Sequence, residues 1–148
     1  MATIKLDIVT AERIVLSEDV EYISAPGVDG VLGILPRHAP LLTALTVGEL
    51  HYKKGGQELS FAIGGGFMEV RPDKVIVLAD AAESADEIDE QRAEAARKRA
   101  QNLLKEKPRN DVEFARIEQS LRRAELRLKV ARRRRGSGPT SPTQEIGE

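Results

Sequence analysis

The sequence predicts an α+β fold, an N-terminal antiparallel β-sandwich followed by a C-terminal antiparallel α-helical hairpin. Three observations predict it. Every glycine before Gly136 lies within residues 27–66, so tight turns are confined to the first half. Residues 1–84 carry seven Lys/Arg against twelve Asp/Glu, whereas residues 85–148 carry sixteen against twelve, so an acidic half precedes a basic one. The apolar period changes from two to about three and a half near residue 84. These observations divide the chain into a β-sandwich at 1–84, a helical hairpin at 85–135, and a Gly/Ser/Pro/Thr tail at 136–148 expected to be disordered.

The strands come first. Ile4, Leu6 and Ile8 alternate with Lys5 and Asp7, the pattern of a half-buried strand. Arg13 to Leu16 and Val20 to Ala25 read as the next two. Leu50 and Tyr52, then Leu59, Phe61 and Ile63, keep period two on either side of Lys53-Lys54-Gly55-Gly56. Glycine supplies the positive φ that a tight hairpin needs, so a turn is expected there. Arg71-Pro72-Asp73-Lys74 separates Met68-Glu69-Val70 from Val75 to Leu78, and Pro at the second turn position presets a second hairpin. Gly64-Gly65-Gly66 could suggest a phosphate loop, but Phe67-Met68-Glu69-Val70 follows as a strand. A bend where backbones approach closely is the expectation.

The helices follow. Ser84-Ala85-Asp86-Glu87 has the form of a capping box and places a helix start there. Ala93, Ala96, Ala100 and Leu103 form a small-residue stripe, which lets a second helix approach closely. Pro108 breaks the run, and Asn110-Asp111-Val112-Glu113 offers a second capping box. Phe114, Ile117, Leu121, Ala124, Leu128 and Ala131 then repeat at 3-4-3-4-3, a heptad seam that should run to about Arg133. A short connection makes the pair an antiparallel hairpin.

Composition narrows the chemistry. The chain has 148 residues, no cysteine and 3% aromatics, so its core is aliphatic and thiolate chemistry is excluded. No stretch approaches the ~20 apolar residues of a membrane span. Met1-Ala-Thr-Ile-Lys-Leu-Asp carries charge where a signal peptide needs an apolar stretch, so export is not expected. His38 and His51 are the two histidines, without carboxylates at a ligand spacing, and no nucleophile elbow or His-Glu-x-x-His occurs. The chain is expected not to be an enzyme and to hold no metal.

Basic residues carry what remains. Residues 116–135 hold nine Lys/Arg against Glu118 and Glu125, ending in Arg132 to Arg135. One reading is a basic helical adaptor that contacts nucleic-acid phosphates. Nothing supplies aromatic stacking or base-reading geometry, so nucleic acid is not the expected partner. Asp89, Arg92, Ala96 and Arg99 share a face of the first helix, and Arg116, Arg123 and Arg127 share a face of the second. Guanidiniums facing one groove suit phosphate oxygens. Intrahelical ion pairs such as Glu94–Lys98 and Glu118–Arg122 are the plainer alternative.

Several stretches together resemble the epsilon subunit of bacterial F-type ATP synthases. They are Leu32-Gly33-Ile34-Leu35-Pro36-Arg37-His38-Ala39-Pro40-Leu41-Leu42 and Gly64-Gly65-Gly66-Phe67-Met68-Glu69-Val70-Arg71-Pro72-Asp73-Lys74-Val75, in the family's domain order, over about residues 3–131. The resemblance implies a non-catalytic rotor subunit, peripheral on the cytoplasmic face of the bacterial cell membrane. Its sandwich would bind the gamma subunit and the c-subunit ring, the latter around Val28 to Ala44. Val31 departs from the acidic residue common in the family. The hairpin would act as a brake on ATP hydrolysis, extending into the alpha and beta subunits of the catalytic head. The resemblance also implies regulatory ATP on the folded hairpin. Ile88-Asp89-Glu90-Gln91-Arg92-Ala93 matches the family's ATP-binding pattern, and Glu83, Arg99, Arg123 and Arg127 match its companion positions. The arginine block and the tail after Arg135 depart from the family's usual short end.

Overall fold

The computed structural model describes residues 2–107, 109–110 and 112–136. Eight strands come first: β1 Ile4–Val9, β2 Ile14–Val20, β3 Tyr22–Gly27, β4 Gly30–Ile34, β5 Leu41–Lys54, β6 Gln57–Val70, β7 Lys74–Ala79 and β8 Ala82–Ser84. They are hydrogen-bonded in the order β2-β1-β7-β6-β5-β3-β4, with β8 also on β6. The sheet folds over so that its inner faces meet in one core. The pairs are antiparallel except β1 with β7, which is parallel from Lys5↔Lys74 to Val9↔Leu78 and so departs from the expected all-antiparallel sandwich. A parallel pair needs a long crossover, and the whole of β2 to β6 supplies it here.

The expected turns are present. Gly55 and Gly56 sit at φ 57° and 79° between paired Lys54 and Gln57, the backbone of a two-residue hairpin. Val70 pairs with Val75, and the Arg71 amide donates to the Lys74 carbonyl at 2.8 Å, closing the second hairpin. The Gly64–Gly66 run lies inside β6. Before it, Phe61 to Ile63 pair with β8, and from Gly66 onward the strand pairs with β7. A Cβ on Gly66 would stand 2.1 Å from the Leu78 carbonyl oxygen, so glycine alone allows this handover between neighbours. Val20, expected to open the third strand, instead ends β2 opposite Ile4. Strand β4 escapes the alternation rule because Gly30 and Gly33 interrupt it, and its ladder with β3 holds it.

Ile4, Leu6, Ile8, Ile23, Ile34, Leu50, Ile63, Met68, Val75 and Val77 are buried together in the sandwich core, as the aliphatic composition requires. Tyr52 is buried against Phe61, their ring centroids 6.1 Å apart. Its phenol is pushed up to about 12 by burial first, then by the charges of Glu18 and Asp86. On the outer face, Ser17 Oγ donates to Asp7 Oδ1 at 2.6 Å and Lys74 Nζ lies 3.2 Å from Asp7 Oδ2. The Ser17 bond first, and Lys74 with it, holds the Asp7 carboxyl below its usual range against the opposing cost of burial.

The helical part corrects one expectation. Ser84 precedes only a 3-10 turn, Ala85–Glu87, and its side chain makes no capping hydrogen bond. The first helix, α1, spans Glu90–Glu106 and is capped by Asp89, whose Oδ1 accepts from the Arg92 amide at 3.1 Å. The cause is tertiary. Ile88 stays extended (ψ 123°) and is buried against Ala62, Val130 and Ala131, which a helix begun at Ser84 would prevent. The second helix, α2, spans Val112–Gly136. It passes the expected end near Arg133 because arginine is a good helix former and cations favour a helix C-terminus. Asp111 of the second capping box lies outside the described residues, as does the expected tail beyond Gly136.

The helices pack antiparallel along the expected seams. Ala93 and Ala100 of α1, and Ala124, Leu128 and Ala131 of α2, are buried. Phe114, Ile117 and Leu121 are half-buried. Leu103 is exposed, and Leu104 takes its place as the half-buried leucine. Lys107 Nζ reaches Glu113 Oε2 at 2.7 Å across the connection.

Candidate functional site

The hairpin touches the sandwich through α2, and α1 packs on α2. The docking face is a row across three strands: Glu49 of β5 lies opposite Ala62 of β6, and Ala62 opposite Glu83 of β8. Residues in such register project from one sheet face. Val130 and Ala131 of α2 cover Ala62, with Ile88 completing the cluster and Ala85 and Leu126 at its edge. At one end, Arg127 donates to Glu83 through both nitrogens, Nε to Oε1 at 2.8 Å and Nη2 to Oε2 at 3.0 Å. This bidentate fork is the strongest geometry available to a side-chain ion pair. Arg13 of the β1–β2 corner adds an exposed contact to Glu87 at 3.3 Å.

The expected anion-site residues fall into groups. Glu83 and Arg127 are brought together. Asp89 and Arg92 meet through the helix cap, leaving the Arg92 side chain exposed. Ile88 and Ala93 are buried and act in packing, Ile88 under α2 and Ala93 in the helix seam. Arg99 is exposed, and Arg123 is exposed with Nη2 donating to Ser120 Oγ at 3.3 Å. The fold brings no charged partner among the described residues to Arg92, Arg99 or Arg123, so three of the four guanidiniums face water.

Ion pairs elsewhere differ from the i,i+4 pattern expected of Glu94 and Lys98. Glu94 binds Arg97 of the same helix, and Arg132 of α2 reaches it at 3.5 Å. The Arg97 hydrogen bond is the main reason the Glu94 carboxyl lies below, and the Arg97 guanidinium above, its ordinary value. Arg132 also lies 3.7 Å from Glu90, so part of the arginine block clamps α2 to α1.

Sequence reasoning missed Leu126 and Val130 as docking residues. Their signal was present: two apolar residues four apart and off the heptad seam make a second stripe on α2.

Large apolar side chains also stand uncovered on the sandwich. Val28, Val31 and Leu35 are exposed around β4, Val31 to 75%. Leu42, Phe67 and Leu78 are exposed across β5, β6 and β7, with Phe67 paired to Leu78. Among the described residues, no helix is long and apolar enough to cross a membrane, and no cluster of His, Asp or Glu could hold a metal ion.

Comparison with known proteins matches both halves. The family model described as the ATP synthase delta/epsilon chain β-sandwich domain covers residues 3–85, and that of the delta/epsilon chain long α-helix domain covers residues 86–132. The ATP synthase epsilon chain of Herpetosiphon aurantiacus is 58% identical over 132 residues, 89% of this chain and 96% of that one. That of Dehalococcoides mccartyi is 56% identical over 135 residues, 91% and 96% of the two chains. A chain in the cryo-EM structure of Euglena gracilis mitochondrial ATP synthase (OSCP/F1/c-ring) shares the fold at TM-score 0.66 and 22% identity, covering 93% of this chain and 82% of that one. With both of its parts matched in order and close relatives along nearly their full length, the chain belongs to the ATP synthase delta/epsilon chain family.

Proposed function

We propose that this chain is the epsilon subunit of the central stalk in a bacterial proton-translocating F-type ATP synthase. In this reading the sandwich couples rotation and the hairpin is a brake on ATP hydrolysis. As a member of the family the chain is a non-catalytic subunit. The observation that carries the brake is the modesty of the docking contact: among the described residues a small apolar cluster, one bidentate ion pair and the exposed Arg13–Glu87 pair join the hairpin to a sandwich with its own complete core. Such a contact can release without unfolding either part. Released, the basic α2 suits acidic surfaces of the alpha and beta subunits.

The uncovered apolar residues support the stalk assignment. Contiguous exposed apolar surface marks a protein interface. Leu42, Phe67 and Leu78 suit a packed helical partner, here the gamma subunit. Val28, Val31 and Leu35 suit the c-subunit ring, with Val31 making an apolar contact. The chain then sits peripherally on the cytoplasmic face of the cell membrane.

ATP is the proposed regulatory ligand. Its phosphates would be held by the water-facing Arg92, Arg99 and Arg123, while Arg127 shares its fork between Glu83 and the ligand. Ile88 and Ala93 set the helix packing around that site, and Asp89 fixes the start of α1. A ligand that binds only the docked form stabilises it by about 4 kcal/mol at a thousandfold excess over Kd. Two measurements test the proposal. The ATPase rate of the assembled complex should rise when residues 85–148 are deleted, and an unchanged rate removes the brake. Calorimetry of the isolated chain should show heat with millimolar ATP that Arg92→Ala with Arg123→Ala abolishes. Absence of heat, or heat untouched by the substitutions, removes the ligand.

A further inference from the structure

The capping box at Ser84 is written in the sequence and unused in the docked fold. Ser84 already has the extended backbone of an N-cap, φ −72° and ψ 156°, yet its side chain makes no capping hydrogen bond. Ala85–Glu87 are already wound as a 3-10 turn. Helix α1 then begins afresh at Glu90 under a different cap, Asp89. Two residues separate these helical segments, Ile88 at ψ 123° and Asp89 at ψ 104°. Their φ values, −76° and −85°, lie within the helical range. Rotation of these two ψ angles alone would make one helix from Ala85 to Glu106. In that helix the amide of Glu87, at the third position, is left for the Ser84 hydroxyl.

The docked hairpin opposes that rotation. Ile88 is buried in a cluster made by Ala62 of the sandwich with Val130 and Ala131 of α2, and this cluster exists only while α2 lies on β6. A helical Ile88 would leave it. Glu87, the last residue of the capping box, is turned to Arg13 of the β1–β2 corner at 3.3 Å. Local preference runs the other way. Alanine and glutamate are good helix formers, and Asp86 and Glu87 would place negative charge in the first turn of a helix begun at Ala85.

We propose that release of the hairpin joins the 3-10 turn and α1 into a single helix beginning at Ala85, with the cap handed from Asp89 to Ser84. The proposal rests on the reading above that the hairpin releases. Docking and joining exclude one another through Ile88, so the Ser84 cap favours the released form and the Asp89 cap favours the docked one. Joining adds about 7 Å of helix at 1.5 Å per residue. It also replaces an extended joint with a rigid one that continues directly from β8. The released hairpin is then an arm aimed by the sandwich rather than a load on a free tether. No nucleotide takes part.

The absence of cysteine makes the test direct. Dyes on Gln57→Cys and Gln119→Cys of the full chain, both exposed positions, report docking by energy transfer without nucleotide. The series is run in an Arg127→Ala background, which removes the Glu83 fork and raises the free population. Ser84→Ala should lower the free-to-docked ratio about fivefold, the effect of one lost N-cap, and Ser84→Thr, which keeps a capping hydroxyl, should leave most of the ratio in place. Asp89→Ala should raise the ratio by about fivefold, the opposite sign. A ratio that Ser84→Ala leaves unchanged or raises, or that Asp89→Ala leaves unchanged or lowers, overturns the proposal. A second measurement reads the joint itself. Val130→Glu with Arg127→Ala puts an unpaired charge into the docking cluster and drives the hairpin off. The carbon-13 Cα shifts of Ile88 and Asp89 should then move to helical values. Lost energy transfer with non-helical shifts overturns the joining alone, whereas persisting energy transfer overturns release and the joining with it. None of these outcomes bears on whether ATP binds or hydrolysis is inhibited, which the calorimetry and truncation decide separately.

Discussion

Val130→Ala should release the hairpin while leaving the sandwich intact. Val130 is fully buried, in the docking cluster and outside the sandwich core. The substitution removes two methyl groups from that contact, at ~0.8 kcal/mol each. The residual cavity adds a smaller cost, for a total of about 2 kcal/mol. At 1.4 kcal/mol per decade, the free-to-docked ratio should rise about 30-fold. Alanine is a better helix former than valine by ~0.5 kcal/mol, so α2 itself is not weakened and the effect reads as undocking rather than fraying. The assay is energy transfer between dyes attached at Gln57→Cys and Gln119→Cys, two exposed positions in a chain without cysteine, with helix content followed by circular dichroism. A ratio that moves less than about threefold, or a loss of helix content in step with it, would refute the assignment of Val130 to a separable docking face.

Glu83→Gln should shift the same ratio in the same direction by a smaller amount. Both side chains of the pair are about a third exposed, 30% and 35%, which limits it to ~1 kcal/mol. Gly66→Ala should abolish soluble expression or lower the melting temperature of the sandwich sharply, because the added Cβ meets backbone at 2.1 Å and φ is +133°. Gly55→Ala, with open space around its Cβ, should cost much less in the same melt. The Asp7 carboxyl is held below its ordinary value by Ser17 first and by Lys74. Its stabilisation is therefore present above the unfolded pKa and is lost as pH falls through the lower folded value, so Asp7→Asn should flatten that part of the acid unfolding curve. Tyr52 reverses the direction. Its phenol titrates at about 12 when folded and near 10 when unfolded, so the stability it contributes is present below pH 10 and lost from there to about 12. Tyr52→Phe should remove that alkaline loss.

Much of the architecture was written locally. The Gly55-Gly56 turn follows from a demand for positive φ at two successive residues, which side-chain sterics impose on any chain. The seam of α2 follows from apolar spacing alone, as burial of Ala124, Leu128 and Ala131 bears out. The face shared by Arg92 and Arg99 follows equally from helical periodicity. The docking surface was less legible, because Leu126 and Val130 have no local feature that says which partner they meet.

What the sequence determined by itself was everything fixed by near neighbours: the turns, the helix seams, the aliphatic core and the division between an acidic and a basic half. Tertiary structure decided where α1 begins, since burying Ile88 under α2 outweighed a capping box at Ser84. It decided that β1 pairs parallel with β7, across almost seventy residues of intervening chain. It also decided that Arg127 spends its fork on Glu83. The physical reason is the same in each case. These choices depend on free energies of contact between residues distant along the chain, and periodicity records only which face a residue occupies, not what will cover it.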